Sequence, residues 1–470
     1  MTVTAPGVVS PAIRPPGGGP GIQVDTVMVL SVFAAVLTLL PARYVLGALG
    51  AAGTPAGVMA VLCLCWYLFA LLTPRTTPLQ GRQPLRPVIL LFCCSMLATY
   101  ALTMTRSLPT LELNGADRGL ILVAGWAGIA LLAADGIATL DRLEALRRRL
   151  VAGGTFMAVL GITQFFTGLD LAGYIAIPGL SPATSYTSLL QREEFNRPMA
   201  TATHPIEFGV VLAMLLPLAL HGAMYPGSRS RRLRWLQVAL IATALPMTVS
   251  RSAILGLFVV ALVILPIWPG RVRRRAYVVM LLFAFAMRVA IPGLLGTITN
   301  LISDIGTDSS TVSRTNDYSA VGEAVAAHPW FGQGFGTYLP QTYRILDNQY
   351  LGSLVETGIA GLLVLIVLLS SGWFLARSAR RANPRPDIKH MAQCFAAAIA
   401  VAAFSYGTFD AFSFPMAANL TFLLLGCCGA LWRLSRADPH ALLTGSGSVG
   451  ARTADHRGHR LPQDQHVERE

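Results

Sequence analysis

The sequence predicts an all-α integral membrane protein with about twelve transmembrane helices and two long loops on one side of the membrane. Hydrophobic residues make up 54% of the 470 residues, and charged residues only 13%. A soluble domain carries roughly 25% charged residues. Apolar runs of about 20 residues, the length that crosses a bilayer, recur along most of the chain. These observations exclude an assembly of soluble domains.

The predicted helices follow one another closely, with a very tight turn at Ser250–Ser252 between the seventh and the eighth. They lie near residues 24–41, 53–73, 87–105, 118–135, 150–167, 204–224, 235–250, 252–269, 276–296, 349–376, 390–409 and 413–433. The membrane domain therefore covers residues 24–433. Residues 1–23 are rich in Pro and Gly and residues 434–470 are polar, so both are predicted to be disordered cytoplasmic tails.

The distribution of basic residues predicts the orientation. Five alternate connections hold twenty Lys and Arg residues, whereas the other connections hold eight. Cytoplasmic connections carry the excess of Lys and Arg, so both termini are expected in the cytoplasm. The two long connections, at about 168–203 and 297–348, are then extracytoplasmic. Aromatic residues in the second, such as Trp330 and Phe335, predict that it is folded.

The net charge of +13 is almost entirely arginine, since the chain has a single lysine. The arginines cluster between apolar runs, which is typical of membrane topology and argues against nucleic acid as a partner. All seven cysteines lie inside apolar runs without metal-ligand spacing, so they are interpreted as small hydrophobic residues and no metal site is expected.

The predicted outer face collects polar residues that the topology does not require. They are Arg197, His204, Glu207, Arg251, Arg288, Arg314, Glu323, His328, Arg344, Asp347 and Glu356. Arginines on the outer face oppose the positive-inside bias, so each of them needs a structural or functional explanation. Guanidinium groups bind phosphate oxygens two at a time. A lipid-linked diphosphate is the polyanion expected at a membrane surface.

Several of these residues also have plainer interpretations. Arg288 lies inside the ninth predicted helix, where a charge costs at least about 2.5–3.5 kcal/mol, and it either binds substrate, snorkels to the interface or pairs with Glu207 or Glu356. Arg251 is alternatively part of a capped turn at the lipid headgroups. His328 is a base, a phosphate donor or a helix-end cap. Three alternate glycines, 332 to 336, predict a tight turn.

Three segments together carry a resemblance to a known family. They are RPMATATHP at Arg197–Pro205, TVSRSA at Thr248–Ala253, and HPWFGQGFG at His328–Gly336, which continues through Asp347-Asn348-Gln349-Tyr350-Leu351 to Glu356-Thr357-Gly358. In this order they resemble the O-antigen ligase/polymerase superfamily of integral membrane enzymes. The resemblance covers about residues 195–365 by motif.

The resemblance implies a bundle similar to GT-C-type glycan polymerases and ligases, acting as a metal-independent glycosyltransferase on the outer leaflet. It implies a donor glycan on undecaprenyl diphosphate, a glycan acceptor, membrane lipid and other polysaccharide assembly proteins as partners, and no cofactor. Arg197, Arg251 and Arg314 would hold the diphosphate and stabilise its departure. His204 and His328 would lie near it.

One position departs from the family pattern, because Asp347 stands where the family has His before Asn. If that His is the general base on the acceptor hydroxyl, the carboxylate of Asp347 can take its role; alternatively, activation of the hydroxyl is mainly positional. Asp347 and Asn348 are expected to position or activate this hydroxyl. Glu356 would orient an arginine or the acceptor. The change favours a polymerase of exopolysaccharide or another surface glycan over a lipid A–core ligase. The alternatives are a secondary transporter or lipid-linked glycan flippase, and a scaffolding membrane protein.

Overall fold

The computed structural model describes residues 25–72, 82–175, 177–182, 189–192, 194–227, 230–294, 296–297 and 321–436. Two predictions therefore lie outside the described residues. One is the disorder of the tails 1–23 and 437–470, and the other is the diphosphate contact of Arg314. The first residues of the predicted C-terminal tail, 434–436, are described: Leu434 ends the last helix and the next two residues form a turn.

Twelve long helices form the described part of the chain. They are α1 (Thr26–Leu39), α2 (Pro55–Leu72), α3 (Leu85–Thr103), α4 (Thr110–Gly136), α5 (Leu140–Thr167), α6 (Pro205–Met224), α7 (Arg231–Met247), α8 (Arg251–Ile264), α9 (Gly270–Ala290), α10 (Gln349–Ala382), α11 (Pro386–Ser405) and α12 (Pro415–Leu434). Two short antiparallel pairs join the loops: β1 (Tyr44–Val45) with β2 (Ser181–Pro182), and β3 (Leu190–Arg192) with β4 (Phe195–Arg197).

Each predicted helix overlaps one of these helices, so the all-α class is confirmed. Within the described residues, eight helices are long and apolar enough to cross a membrane, namely α2 to α6 and α10 to α12. Helices α1 and α8 are apolar but shorter. The chain is thus a multi-pass membrane protein, and the total of about twelve crossings stays a prediction.

Several predicted helix ends were wrong because helices continue into the arginine clusters. Helix α5 begins at Leu140 and α9 at Gly270, so Arg147 and Arg271 lie in helices and not in connections. The 28 residues of α5 extend about 42 Å at 1.5 Å per residue, which exceeds the roughly 30 Å of a hydrocarbon core. Arginine is a good helix former, so the helix continues where hydropathy stops.

The two ends of the bundle differ in what they carry. We call the loop-bearing end the one at which α6, α8, α10 and α12 begin, and the arginine-rich end the opposite one, where α5, α7 and α9 begin. The loop-bearing end is the predicted outer face. Which end faces the cytoplasm stays a prediction from the arginine count.

Helices α6 and α12 form the centre of the bundle, since 89% of the most apolar window of each is buried, against 28% for α2 and α3. Small residues allow close approach between helices. A side chain at Gly426 of α12 would meet the carbonyl oxygen of Ala130 in α4 at 2.5 Å. An aromatic cluster fills the neighbouring core, where Trp126 stacks on Phe422 with ring centroids 5.2 Å apart.

Candidate active site

The end of the first long loop is bound to the turn between α7 and α8. Arg197 ends β4, and its Nε donates to the carbonyl oxygen of Thr248 at 3.3 Å. Thr248 is buried and precedes the turn that leads into Arg251. The first two motifs of the sequence, which are fifty residues apart, therefore meet at the loop-bearing end.

Both motifs contain a strained backbone. Among the described residues, Ala200 (φ 49°) and Val249 (φ 45°) are the two non-glycine residues with positive φ, and for a β-branched residue this is a genuine outlier. The buried Gln164 side chain fixes Ala200, because its Oε1 accepts from the backbone N–H of Ala200 at 2.7 Å and of Met199 at 3.2 Å. Backbone strain of this kind clusters at functional sites, where surrounding structure holds it in place.

Three of the four helices α6, α8, α10 and α12 have side chains bound to their first N–H groups. His204 Nδ1 accepts from Ile206 N at the start of α6, and Asn348 Oδ1 accepts from Tyr350 N and Leu351 N in α10. Glu207 Oε1 accepts from Met416 N at 2.6 Å and from Ala417 N at 3.2 Å in α12. These contacts assign helix-capping roles to His204 and Asn348.

Helix α8 begins differently. Its N-cap residue Ser250 makes no side-chain capping bond, and Arg251 is the first helical residue. The N-terminus of a helix presents N–H groups and a partial positive charge, which favour anions. A half-buried guanidinium at this position adds a full positive charge. The start of α8 is therefore a candidate place for phosphate.

The third motif is a folded loop that packs along α10. Gln333 N donates to Val355 O and Gly334 N donates to Glu356 O, both at 2.9 Å, while Ile359 N donates to Pro329 O at 2.9 Å. Helix α10 is interrupted at Gly358 (φ 65°, ψ −168°), a conformation that is essentially restricted to glycine. The interruption lets the loop backbone lie directly against the helix.

Only glycine fits at these positions of the motif, because the neighbouring backbone is too close for a side chain. This agrees with the predicted tight turn. Gly332, Gly334 and Gly336 have φ values of 69°, 135° and 80°. A side chain at Gly332 would meet the backbone of Glu356 at 2.3 Å, and one at Gly358 would meet the Trp330 carbonyl at 2.4 Å. The prediction that residues around Trp330–Tyr338 are folded is confirmed.

The side chain of Glu356 holds this loop in place through hydrogen bonds to the loop backbone. Its Oε1 accepts from Gly336 N at 3.0 Å and from Tyr338 N at 3.3 Å. Phe335 also inserts into the aromatic core, with its ring centroid 6.2 Å from that of Trp126. The described contacts of Glu356 are thus structural, and its predicted contact with an arginine or the acceptor stays a prediction.

A carboxylate that the sequence analysis missed lies in this region. Asp410, in the connection between α11 and α12, is half-buried and accepts a hydrogen bond from Ser413 Oγ. Burial, together with the nearby charge of Asp347, raises the pKa of Asp410 to about 6. Asp410 also interacts electrostatically with Glu356. A carboxyl group with this pKa is suited to general acid–base work near neutral pH.

Two sets of hydrogen bonds tie the Asp410 connection to α8 and α10. Thr408 Oγ1 donates to Ser252 Oγ at 2.8 Å, next to Arg251. The backbone N–H of Gln349, next to Asn348, donates to Tyr406 O at 2.8 Å. The connection therefore brings Asp410 between the start of α8, which suits an anion, and the start of α10, which carries Asp347.

The remaining predicted site residues have other surroundings. His328 is half-buried, and burial and the charge of Arg106 lower its pKa. Burial and the charge of Arg197 lower the pKa of His204 to about 4, so it is neutral at pH 7. Arg288 is exposed in the last turn of α9, and no ion pair between described residues joins it to Glu207 or Glu356. Its predicted substrate contact stays a prediction.

In the described ranges, no group of three or more His, Cys, Asp or Glu side chains is arranged to hold a metal ion. The groups described at this end include guanidinium groups, helix N-termini and carboxylates. A multi-pass bundle with this arrangement is consistent with the class of membrane enzymes that carry their site at one end of the helices.

Comparison with known families agrees with this class. Residues 236–366 match the family model described as O-antigen ligase, which confirms the resemblance to the O-antigen ligase-like superfamily and supports a membrane enzyme of the ligase or polymerase type. The matched segment contains Arg251, Asp347 and Glu356, and it ends before Asp410. No curated protein matches the chain.

Proposed function

We propose that the protein is a glycosyltransferase that polymerises or ligates polysaccharide repeat units carried on polyprenyl diphosphate, at the outer face of the cytoplasmic membrane. The observation that carries the proposal is the hydrogen bond between Thr408 and Ser252, at 2.8 Å. It brings the connection with Asp410 to the first turn of α8. A site for an anionic leaving group and a candidate base are thereby neighbours.

Arg251, the N–H groups that begin α8, and Arg197 bind the diphosphate in this proposal. Charge develops on the diphosphate as its bond to the sugar breaks, and preorganised positive groups stabilise that charge. Arg314 and Arg288 are proposed as further donors on the strength of the sequence. No step is assigned to a metal ion.

The acceptor hydroxyl oxygen forms a bond to the anomeric carbon of the donor sugar. The bond between that carbon and the diphosphate oxygen breaks, and its electron pair leaves with the diphosphate. The hydroxyl proton passes to a carboxylate. Asp347, which stands in place of the family's His, is one candidate base. Asp410 is a second candidate, because its raised pKa of about 6 is closer to neutral pH than that of an ordinary aspartate. Positioned bases contribute about 10²–10⁴ in rate.

Asn348, Glu356, His204 and His328 support the site. The capping bonds of Asn348 and His204 set where α10 and α6 begin. Glu356 fixes the Trp330–Tyr338 loop. Direct contacts of these residues with donor or acceptor are proposals that come from the sequence motifs, and His328 is proposed to contact phosphate at the edge of the site.

Mass spectrometry of polyprenyl-linked glycans tests the proposal in cells with and without the protein. Single repeat units should accumulate on the lipid when a polymerase is lost, whereas full-length polymer should accumulate when a ligase is lost. Unchanged lipid-linked species would contradict the proposal and favour the transporter interpretation.

The same measurement tests the role of Arg251. Arg251→Ala should reproduce the loss of the protein while the chain still inserts normally, because the leaving group loses its main cation. Arg271→Ala is the matched control, since Arg271 is exposed at the arginine-rich end. Near-normal product from Arg251→Ala would contradict the assignment of Arg251 to diphosphate binding.

A further inference from the structure

The side chain of Gln349, at the start of α10, has no part in the reaction proposed above. Gln349 follows the capping Asn348 and is buried, with 1% of its surface exposed. A buried amide without partners is costly, so its hydrogen bonds show what it holds. Those bonds join α10 to itself and to the connection that carries Asp410.

The backbone of Gln349 holds this connection on the side that precedes Asp410. Gln349 is the first residue of α10, so its N–H has no partner within the helix. The N–H donates instead to Tyr406 O at 2.8 Å and to Phe409 O at 3.1 Å. The second of these carbonyl groups belongs to the residue directly before Asp410.

The side chain of Gln349 holds the connection on the other side of Asp410. Its Oε1 accepts from Phe412 N at 2.6 Å, and its Nε2 donates to Ser353 Oγ, one turn further along α10, at 3.1 Å. The backbone N–H of Phe412 can only donate, which fixes the orientation of the amide. One residue is therefore bonded to the peptide groups both before and after Asp410.

Hydrogen bonds of this kind add a direction that packing does not supply. Phe409 and Phe412 are buried on either side of Asp410, but apolar contacts are non-directional. Hydrogen bonds have preferred angles, so bonds on both sides set the rotation of the backbone that carries Asp410. Because Gln349 belongs to α10, they set it relative to Asp347, which precedes the N-cap of the same helix.

Ionisable groups surround the connection, and its exact position therefore matters. Those on the elements packed around it are Asp347 before α10, Glu356 in α10, Arg251 at the start of α8, and His204 and Glu207 at the start of α6. Asp347 and Glu356 interact electrostatically with Asp410. A displacement of the connection changes both the reach of Asp410 toward a hydroxyl and its affinity for a proton.

We propose that Gln349 is a positioning residue, which holds the Asp410 carboxyl group beside Asp347 at the place of proton transfer. The inference rests on the proposed function. A group that takes a proton from a hydroxyl must lie within hydrogen-bond reach of it, and a misplacement of about 1 Å can cost about 10²-fold in rate. Gln349 acts through Asp410, so its loss should slow the chemical step more than it weakens binding.

Gln349→Met tests the inference, because methionine fills a similar volume and is at most a weak acceptor for Phe412 N. Rates are measured as the release of polyprenyl diphosphate by membranes that contain the full chain. The substrate is the lipid extract of cells that lack the protein. The kcat should fall about tenfold or more, while KM should change less than about threefold.

Ser353→Ala is the matched control, since it removes the other bond of the same amide and leaves the bond to Phe412 N in place. Each variant leaves a buried polar group without its partner, so both should melt at a lower temperature than the wild type. A purely structural role of Gln349 would lower activity alike in both variants. A positioning role lowers kcat only in Gln349→Met.

A double-mutant cycle shows whether Gln349 acts through Asp410. In the Asp410→Asn background, Gln349→Met should lower kcat by less than about twofold further, because the carboxyl group that it positions is already absent. If Gln349→Met does not insert, Gln349→Glu takes its place. A carboxyl oxygen there still accepts from Phe412 N, and its charge should raise the pH below which activity is lost only while Asp410 is present.

The inference is overturned if Gln349→Met keeps the wild-type kcat, if Ser353→Ala is equally impaired, or if the losses from Gln349→Met and Asp410→Asn multiply in the double variant. For Gln349→Glu, a change in the pH profile that persists in the Asp410→Asn background has the same meaning. The proposed function stands in these cases, because the wild type still releases polyprenyl diphosphate. Absence of that release from the wild type would instead contradict the proposed function.

Discussion

The two ends of the bundle differ in how their carboxylates are used. At the arginine-rich end carboxylates neutralise cations: Arg147 donates two hydrogen bonds to Glu144, at 2.6 and 2.5 Å, and Arg86 pairs with Asp135 at 2.8 Å. The loop-bearing end also has an ion pair, between Arg43 and Asp170, but there Glu207 and Glu356 accept hydrogen bonds from backbone N–H groups and hold loops in place. The difference indicates that the loop-bearing end is built to hold strained loops around a site.

The histidines at the two ends also differ in the hydrogen bonds that they make. At the arginine-rich end Trp268 Nε1, which can only donate, is 3.0 Å from His390 Nε2. His390 must therefore carry its proton on Nδ1, which is 3.2 Å from His221 Nδ1, and His221 in turn carries its proton on Nε2, facing Glu144. The chain of bonds requires both imidazoles to be neutral. At the loop-bearing end His204 does not pair with a second histidine of the described residues; its Nδ1 accepts a hydrogen bond from the backbone at the start of α6.

The largest effect is expected at the interrupted helix of the loop-bearing end. Gly358→Ala should abolish activity and make the Trp330–Tyr338 loop sensitive to protease, because φ 65° costs a side chain about 1–3 kcal/mol and the new Cβ would lie 2.4 Å from the Trp330 carbonyl. Activity in membranes and limited proteolysis measure the change.

Gly352→Ala is the matched control in the same helix, since its Cβ would meet only Gln349 Nε2, at 3.9 Å. It should retain normal activity and loop protection. If Gly358→Ala behaved like this control, the loop would not depend on the interruption of α10, and the contrast between the two ends would lose its main support.

The helices could be predicted from the sequence because apolar runs of spanning length directly report burial in lipid. Their ends could not, because arginine continues a helix as readily as leucine. The motif residues Glu356 and Asn348 were recognised, but their partners are backbone N–H groups, which leave no trace in side-chain patterns. Sequence reasoning therefore identified these positions but not their backbone partners, and their contacts with substrate stay predictions.

Asp410 was missed for a different reason. It is a single acid between aromatic residues, in Thr408-Phe409-Asp410-Ala411-Phe412, with no second polar residue at a recognisable spacing. Its proximity to the starts of α8 and α10 becomes apparent only when the topology brings α8, α10 and α11 together. The one available signal was an acidic residue between two strongly apolar runs on the predicted outer face, where most connections carry few charges.

Asp410→Asn, at the loop-bearing end, is expected to raise stability and lower activity. The pKa of about 6 lies above the ordinary value, so the folded chain binds this proton more tightly than the unfolded chain, and that stabilising contribution is lost as pH rises from about 4 to 6. At pH 8 the variant should therefore melt at a higher temperature than the wild type. Activity should fall at least 100-fold if Asp410 is the base.

Wild-type activity should also decrease as pH falls below about 6, where Asp410 becomes protonated. Asp117→Asn, an exposed change at the same end, is the control and should alter neither melting nor activity. Unchanged activity in Asp410→Asn would leave Asp347 as the base, and an unchanged melting temperature would contradict the burial of the Asp410 charge.

The smallest effect on activity is expected from the arginine-rich end. His390→Phe leaves the buried donor of Trp268 and the acceptor of His221 without partners, which costs about 1–3 kcal/mol for each group. The melting temperature should fall by several degrees, while activity below that temperature should stay within threefold of wild type, since the site lies at the other end of the bundle.

The pH dependence sharpens this last test. An added proton on either imidazole places two N–H donors face to face, so the wild type should lose stability as pH falls below the ordinary histidine pKa of about 6.5, and His390→Phe should lose less. Trp268→Phe removes the donor that opposes a proton on His390 Nε2, so it should keep only the part of the pH dependence that comes from His221. A large loss of activity in His390→Phe at low temperature would show that the two ends are coupled through α6 and α11, and the division into a stabilising end and a reactive end would then be wrong.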